Sequence, residues 1–340
     1  MNQIAVILGG RFLYWSSVIL FLAAAAAVCL FLALSIRDRE NPAATALAVP
    51  LAAVLSLVLA RLVHWHCRPE VYSGFLPALT NYSRGGYALI GVFFGCLLAA
   101  VTLRLLHLTG NLPRMLDHMA LAGCLGISAG RLGAIFGNAD RGMILPETVG
   151  FPWAAEITNG VSGQVENRLA VFFLQSMATG MLFAGLMVFY IRRRKKLRDG
   201  DTCLIFLLCY CACQVVLDSP RYDNLYFRSN GFVSIVQIFG ILTVLAVAVI
   251  FTLRLARNRG PRWSWMCFLL LPLFGGAGYM EYYVQRHGDQ AALAYAIMGA
   301  CMALAVGRIL LMRAFAEGLS LDRKPPAGGR YTTPQKIMEK

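Results

Sequence analysis

Residues 12–36, FLYWSSVILFLAAAAAVCLFLALSI, form an apolar run without a single charged side chain. About 20 apolar residues in a helix cross the hydrocarbon core of a bilayer, where every backbone amide needs an internal hydrogen bond. The run is longer than the apolar core of a secretory signal peptide, and no convincing cleavage site follows it. We therefore expect a membrane-spanning helix here rather than a leader that is removed.

The remainder of the chain repeats this character. Of its 340 residues, 58% are apolar and 14% are charged, against about 45–50% and about 25% in soluble domains. Too few polar side chains remain to cover a water-soluble surface, and the long apolar runs exclude a disordered chain. We predict an all-α, polytopic membrane bundle of about nine helices. The expected spans are Phe12–Ile36, Ala43–Val63, Tyr87–Leu106, Leu116–Phe136, Leu169–Ile191, Thr202–Leu217, Phe232–Leu255, Trp263–Tyr283 and Ala291–Met312.

Basic residues predict the orientation of this bundle. The chain carries a formal charge of +14, and its densest basic cluster is Arg192–Arg198, between the fifth and sixth spans. Because Lys and Arg are retained in cytoplasmic loops, the cluster predicts an N-terminus outside and a C-terminus inside. The basic residues lie in short clusters between spans instead of on one amphipathic face, so we expect no nucleic-acid partner.

Neither disulfides nor a metal centre are expected. Nearly all of the ten cysteines lie within apolar runs, where a thiol behaves as a small hydrophobic group. The stretch His64-Trp65-His66-Cys67 carries ligand-type side chains, but two histidines two positions apart point away from each other on a helix. The sequence implies no soluble cofactor either.

Three arginines lie at the predicted level of the outer headgroups, namely Arg61, Arg131 and Arg221. Ionisable groups at membrane depth are costly and mark functional sites by default. A guanidinium keeps its charge when half buried and binds phosphate through two parallel hydrogen bonds, so these residues suit a phospholipid headgroup. The alternative is that each arginine snorkels to the surface or pairs with an acid such as Asp218 or Asp140.

The outer loop between the fourth and fifth spans, residues 137–167, is too long for a simple connection. Loops above about 15 residues are commonly binding or lid segments. Its charged residues are Asp140, Glu147, Glu156 and Glu166, against Arg141 alone.

Glycine-rich motifs surround the arginines, and they resemble a known family. Residues 130–142, GRLGAIFGNADRG, are similar to the signature G-R-x-G-N-F-x-N-x-E-x-x-G of prolipoprotein diacylglyceryl transferases. The resemblance continues in order and spacing along the chain. The other matching stretches are GGYALIGVFFG at 85–95, PWA at 152–154, VVLDSPRYD at 215–223 and FVSIVQIFG at 232–240.

The resemblance implies a fold and a reaction. The family has seven spans with its N-terminus outside, so residues 1–257 correspond to the family body and 258–318 to two additional helices. Residues 319–340, rich in Pro and Gly, are expected to form a solvated cytoplasmic tail. Family members lie in the bacterial inner membrane and act at its outer leaflet. They move a diacylglyceryl group from phosphatidylglycerol to the lipobox cysteine thiol of a prolipoprotein signal peptide.

The resemblance also assigns roles to residues. It gives catalytic roles to Arg131 and Arg221, and we add Asp140, which lies one position beyond the family acid and replaces it if the loop is locally shifted. The residues expected to bind substrate are Arg61, Gly86, Gly91, Gly130, Gly133, Asn138, Asp218 and Gln237. Some of the glycines also suit ordinary close packing of helices.

Several polar family positions differ in this chain. Ile90 replaces a histidine, Ala134 and Gly137 replace asparagines, Ala139 replaces a glutamate and Gln214 replaces an arginine. A cysteine thiol needs a base to react at neutral pH, and the remaining candidates are Asp140, Glu147, His64 and His66. A non-catalytic relative that binds phospholipid or lipoprotein precursors is therefore the alternative. A transporter is less favoured, because no internal repeat is evident.

Overall fold

The computed structural model describes residues 4–8, 11–80, 86–158, 163–193, 198–228, 233–287 and 290–317. Eight helices in these ranges are long and apolar enough to cross a membrane, and a ninth apolar helix, α4, has 17 residues. The polytopic all-α prediction is therefore confirmed. The helices are α1 (Trp15–Arg37), α2 (Pro42–Cys67), the short α3 (Phe75–Thr80), α4 (Leu89–Leu105), α5 (Leu112–Arg131), α6 (Val171–Arg193), α7 (Asp201–Asp218), α8 (Ile235–Arg259), α9 (Leu270–His287) and α10 (Ala291–Ala316).

Two β-hairpins shorten the predicted first and fifth spans. Strands β1 (Ile4–Leu8) and β2 (Arg11–Tyr14) pair antiparallel, so α1 begins at Trp15 and not at Phe12. Strands β3 (Ala154–Thr158) and β4 (Val165–Leu169) pair within the long loop, so α6 begins only at Val171. Apolar side chains suit a strand as well as a helix, and hydropathy alone does not separate the two.

We call the end of the bundle that carries β3 and β4 the loop end. The opposite end, where α6 ends and α7 begins, is the basic end. An apolar core runs between them and draws buried side chains from α1 and from α5 to α10, and smaller apolar clusters lie beside it. The two helices beyond the family-like body thus share its core, and α8 itself continues to Arg259, past the predicted boundary at residue 257. The predicted tail, 319–340, lies outside the described residues.

A buried carboxylate joins three helices at the basic end. Asp201, the first residue of α7, accepts hydrogen bonds from Arg254 of α8 at 2.5 Å and from Arg313 of α10 at 2.9 Å. Its side chain is completely buried, and that of Arg313 is nearly so. Helix α10 is therefore tied to α7 by charge as well as by apolar packing.

Helix α4 packs closely on α2 because glycine lines their contact. A Cβ added at Gly91 would lie 2.3 Å from the backbone of Ala60, and one at Gly95 would lie 2.4 Å from the backbone of Ser56. No side chain fits at these distances, so both positions require glycine.

Replacing Gly91 by alanine is expected to lower the free energy of unfolding by about 1–3 kcal/mol, because the two helices must move apart. Gly123 in α5 is the matched control, since an added Cβ there meets no atom within 4 Å. Gly123→Ala should be neutral or stabilising by up to about 1 kcal/mol. Thermal unfolding in one detergent would compare the variants, and equal midpoints would contradict the packing argument.

Candidate functional site

The site is built around Asp140, which follows α5 and a short 3-10 segment, Leu132–Phe136. Asp140 has a φ of +56°, in the left-handed region that aspartate tolerates better than most residues. Its backbone N–H donates to Asp223 at 3.0 Å, and its carbonyl accepts from the N–H of Phe172 at 3.0 Å. These bonds fix the turn that directs the Asp140 side chain back toward the end of α5.

The two signature arginines converge on this one carboxylate. Nη1 of Arg131 lies 2.5 Å from one oxygen of Asp140, and Nη2 of Arg221 lies 2.7 Å from the other. The three side chains keep 16%, 13% and 14% of their surface exposed for Arg131, Arg221 and Asp140 respectively. Residues far apart in sequence thus form one cluster, partly open at the loop end.

Charge determines the ionisation of Asp140. Burial alone would raise its pKa, but the guanidinium groups of Arg131 and Arg221 outweigh burial and hold that pKa below its usual range. Asp140 is therefore ionised at neutral pH and is a poor base as long as both arginines contact it.

Two further carboxylates hold Arg221. Its Nη1 lies 2.8 Å from Asp218, and its Nε lies 3.0 Å from Asp223. Burial would lower the pKa of Arg221, but the surrounding carboxylates outweigh it and raise that pKa. Two guanidiniums and three carboxylates give this group a formal charge of −1. The sequence had suggested acid pairing as the alternative for each of the three arginines, and the structure shows it for Arg131 and Arg221.

The N-terminal cap of α8 holds Asp218 in place. The buried Asp218 accepts a hydrogen bond from the Ser234 hydroxyl through its second oxygen. Ser234 caps α8 together with Gln237, each side chain bonding the other's backbone N–H. The Gln237 amide also donates to the carbonyl of Val215 at 3.2 Å. Gln237, expected to bind substrate, is thus engaged in holding Ser234 against Asp218.

Arg141 anchors the signature loop and was not among the predicted site residues. Its buried guanidinium donates through Nη2 to the carbonyls of Ala134 and Gly137, and it lies 4.4 Å from the ring centre of Phe172. Within the described ranges, its Nε and Nη1 have no hydrogen-bond partner. Asn138 nearby is exposed, and its carbonyl accepts from the Tyr222 hydroxyl at 2.7 Å.

Arg61 belongs to a second cluster at the loop end of α2. The buried guanidinium donates to the carbonyls of Ala78 at 2.6 Å and Gly86 at 2.9 Å. It lies between the rings of Tyr72 and Tyr87, at 4.8 and 5.1 Å from their centres. Through these hydrogen bonds Arg61 holds the segments that follow α2 in place, whereas the sequence had suggested that Arg61 binds a phosphate.

The predicted glycines lie at contacts within the protein. Gly86 has a φ of +85°, and an added Cβ would lie 2.5 Å from the Tyr72 hydroxyl. Gly130 and Gly133 face α1, where added Cβ atoms would lie 3.3 Å from Leu20 and 3.0 Å from the carbonyl of Ser16. Close helix packing accounts for both.

At two family positions this chain carries a chemically different side chain. Gln214, which stands where the family has an arginine, accepts a hydrogen bond from the buried Gln175 at 3.0 Å. Ile90, which stands where the family has a histidine, is a buried apolar residue of α4. Among the described residues, no group of three or more His, Cys, Asp or Glu side chains is arranged to hold a metal ion.

One protein family matches the part of the chain that contains both clusters, the one around Asp140 and the one around Arg61. The sequence profile of the family described as prolipoprotein diacylglyceryl transferase matches residues 3–253. The match covers well over half of the chain, includes Arg61, Arg131, Asp140 and Arg221, and leaves α9 and α10 outside it. No curated protein matches the chain.

Proposed function

Because the chain belongs to the prolipoprotein diacylglyceryl transferase family, we propose that it transfers a diacylglyceryl group from phosphatidylglycerol to the lipobox cysteine of a prolipoprotein. The observation that supports this best is the convergence of Arg131 and Arg221 on one carboxylate, partly open at the loop end. On this proposal the loop end faces the outer leaflet of the bacterial inner membrane. Phosphatidylglycerol and the signal peptide are then the two substrates.

The reaction develops negative charge where the arginines lie. The thiolate sulfur forms a bond to the glyceryl carbon, the carbon–oxygen bond to phosphate breaks, and glycerol phosphate leaves with one more negative charge. Guanidinium groups stabilise such a leaving group through charge-assisted hydrogen bonds. Asp140 now contacts both arginines, and on this proposal the phosphate replaces it on at least one of them.

That replacement also supplies a base. An Asp140 that loses a guanidinium partner, in a site where its side chain is only 14% exposed, has a higher pKa than one held by two. The released carboxylate accepts the proton of the cysteine thiol, whose ordinary pKa is about 8.5. Binding of the anionic lipid would thus activate the thiol, and the missing family histidine would not be required.

Replacing Asp140 by asparagine separates lipid binding from chemistry. Asp140→Asn should bind phosphatidylglycerol at least as tightly as the natural chain, since a competing anion is removed. Its transfer rate should fall by about 10²–10⁴-fold, the usual loss for a general base. The measurements are lipid binding in nanodiscs and transfer of labelled glyceryl to a lipobox peptide. The control is Glu156→Gln, an exposed carboxylate of β3; full transfer by Asp140→Asn would exclude Asp140 as the base.

A second candidate is a non-catalytic relative that binds anionic phospholipid. Buried Ile90 and the paired Gln214 favour it, since neither position carries the imidazole or guanidinium group found in the family. Complementation of a bacterial strain that lacks the transferase decides between the two. Growth supports the enzyme, whereas phospholipid binding without peptide labelling or growth supports the relative.

A further inference from the structure

A buried cation lies beside the Asp140 cluster without an ion pair to any of its carboxylates. Arg141 is 1% exposed, and its described partners are the carbonyls of Ala134 and Gly137 and the ring of Phe172. Within the part of the chain that the structure describes, its Nε and Nη1 have no hydrogen-bond partner. A buried charge without a direct counterion is strongly unfavourable. A cation kept under these conditions points to a function for the charge itself.

The charge of Arg141 nevertheless reaches the cluster. Burial acts to raise the pKa of Asp140, and Arg141 joins Arg131 and Arg221 in holding that pKa below its usual range. In the reverse direction, burial lowers the pKa of Arg141, and the carboxylates of Asp140 and Asp223 oppose that effect. An arginine stays protonated at neutral pH even when it is buried. Arg141 thus acts on the site through space, as a permanent positive charge.

The charge count shows what Arg141 changes. The ion pairs of Arg131 and Arg221 join two guanidiniums to three carboxylates, a formal sum of −1. With Arg141 there are three guanidiniums and three carboxylates, and the sum is zero. A phosphate that approaches a group of charge −1 is repelled, and the repulsion grows when the leaving group gains a further negative charge. Water and salt screen such interactions little in a buried place.

We propose that Arg141 supplies the third positive charge that the site needs in order to hold an anionic phosphate. The inference rests on the proposed function and deepens it. On that function Arg131 and Arg221 contact the phosphate, whereas Arg141 offsets the carboxylates that hold them. Two carbonyls, at 3.2 and 2.9 Å from its Nη2, fix the guanidinium of Arg141 within the loop that carries Asp140. Arg141 is not a catalytic residue, because it contacts neither the substrate nor the reacting atoms.

Two substitutions separate the charge of Arg141 from its hydrogen bonds. Arg141→Gln keeps an amide donor and removes the charge, whereas Arg141→Lys keeps the charge and changes the donor. The measurement is the Kd of the full-length protein in detergent for glycerol phosphate, the leaving group of the proposed reaction, at one ionic strength. At an effective dielectric constant of about 20, a unit charge about 10 Å away changes the affinity for a unit anion by roughly tenfold. Arg141→Gln should therefore raise the Kd by that factor, and Arg141→Lys should leave it close to that of the natural chain.

The control is Arg228→Gln, which removes the same charge from an exposed position at the loop end. Water and salt screen that charge, so its Kd should match that of the natural chain. Equal Kd values for Arg141→Gln and the natural chain overturn the proposal. An equal rise in Arg141→Gln and Arg141→Lys also overturns it, since the hydrogen bonds and not the charge would then be responsible. A natural chain that does not bind glycerol phosphate has the same consequence.

A second position tests the charge sum without changing Arg141. Gln214 lies four residues before Asp218 on α7, so the two side chains share a helix face. Its Nε2 has no hydrogen-bond partner among the described residues. Gln214→Arg should lower the Kd for glycerol phosphate in the natural chain and restore it in Arg141→Gln. If Gln214→Arg changes the Kd in neither background, the sum of charges does not set the affinity and the proposal fails. The natural background alone decides this point where Arg141→Gln does not fold.

Binding of glycerol phosphate requires no transfer, so the proposed function and the role of Arg141 fail separately. A chain whose Kd depends on Arg141 as described, but which never labels a lipobox peptide, overturns the transferase and keeps the role of Arg141. A chain that transfers label, and whose Kd does not change in Arg141→Gln, overturns the role of Arg141 alone.

Discussion

Replacing Arg221 by alanine should reduce diacylglyceryl transfer by at least about 10²–10³-fold, the loss seen when one donor to a developing oxyanion is removed. Arg221 contacts Asp140, Asp218 and Asp223 at once, so its loss also leaves three carboxylates facing one another. Both the charge that stabilises the leaving phosphate and the position of Asp140 would be lost. The measurement is transfer of label from phosphatidylglycerol to a lipobox peptide.

Controls separate lost chemistry from lost folding. Arg221→Lys keeps the charge but not the planar fork, so it should fold normally and still transfer poorly. Arg168→Ala is the matched control, because Arg168 also pairs with an acid, Glu166, and lies 4.7 Å from the Tyr222 ring. It should keep near-normal transfer. Equal activity of Arg221→Lys and the natural chain would show that bidentate binding of phosphate by Arg221 is not required.

The second large effect concerns stability at the basic end. Asp201→Asn should lower the free energy of unfolding by about 3–5 kcal/mol, the cost of breaking a buried ion pair. Arg254 would lose the Asp201 carboxylate, and Arg313 would keep only Glu317, at 2.9 Å, in a place where water reaches both arginines poorly. Denaturant or thermal unfolding in detergent measures the change.

Asp199 provides the comparison for Asp201, two positions away. Its side chain is 37% exposed and pairs with the similarly exposed Arg114. Exposed pairs contribute about 0–1 kcal/mol, so Asp199→Asn should be nearly neutral. If Asp201→Asn and Asp199→Asn have the same free energy of unfolding, the burial of Asp201 does not provide the stability assigned to it.

Hydropathy predicted the helices of the bundle but not their starts at the loop end. Phe12–Tyr14 are apolar like α1, yet they pair with β1, and strand pairing between neighbouring segments leaves no trace in hydropathy. The same holds for Leu169, which pairs with Ala154 in β4 and β3. Apolar character measures burial in protein or lipid, and it does not distinguish the backbone conformation that achieves it.

The sequence predicted the charged residues at the centre of the candidate site and named two of its supports, Asp218 and Gln237, as site residues, but it missed Asp223 and Ser234. Arg131 and Arg221 were expected together because each stands in a motif of the family. The side chain of Asp223 accepts a hydrogen bond from the backbone N–H of Asp140. The local sequence around Asp223 does not predict this contact, because contacts between distant loops depend on the finished fold. Ser234 did leave a signal, a serine three residues before Gln237 at the start of an apolar run, which is typical of a capping box.

Arg61 shows what membrane depth alone leaves open. Its position at the predicted headgroup level suggested a lipid ligand, whereas its described hydrogen bonds go to backbone carbonyls. An arginine has five N–H donors and satisfies them wherever acceptors are near. Sequence gives its depth in the membrane but not the identity of those acceptors.

The shared core of α7, α8 and α10 determines what would follow from removing the two helices beyond the family match. We expect a protein truncated after Leu255 to keep Arg131 and Arg221, yet to lose the buried side chains that α9 and α10 contribute to this core and the ion pair between Asp201 and Arg313. The last two helices would then be structural parts of the membrane body, and the truncated protein should unfold more readily than the full-length chain.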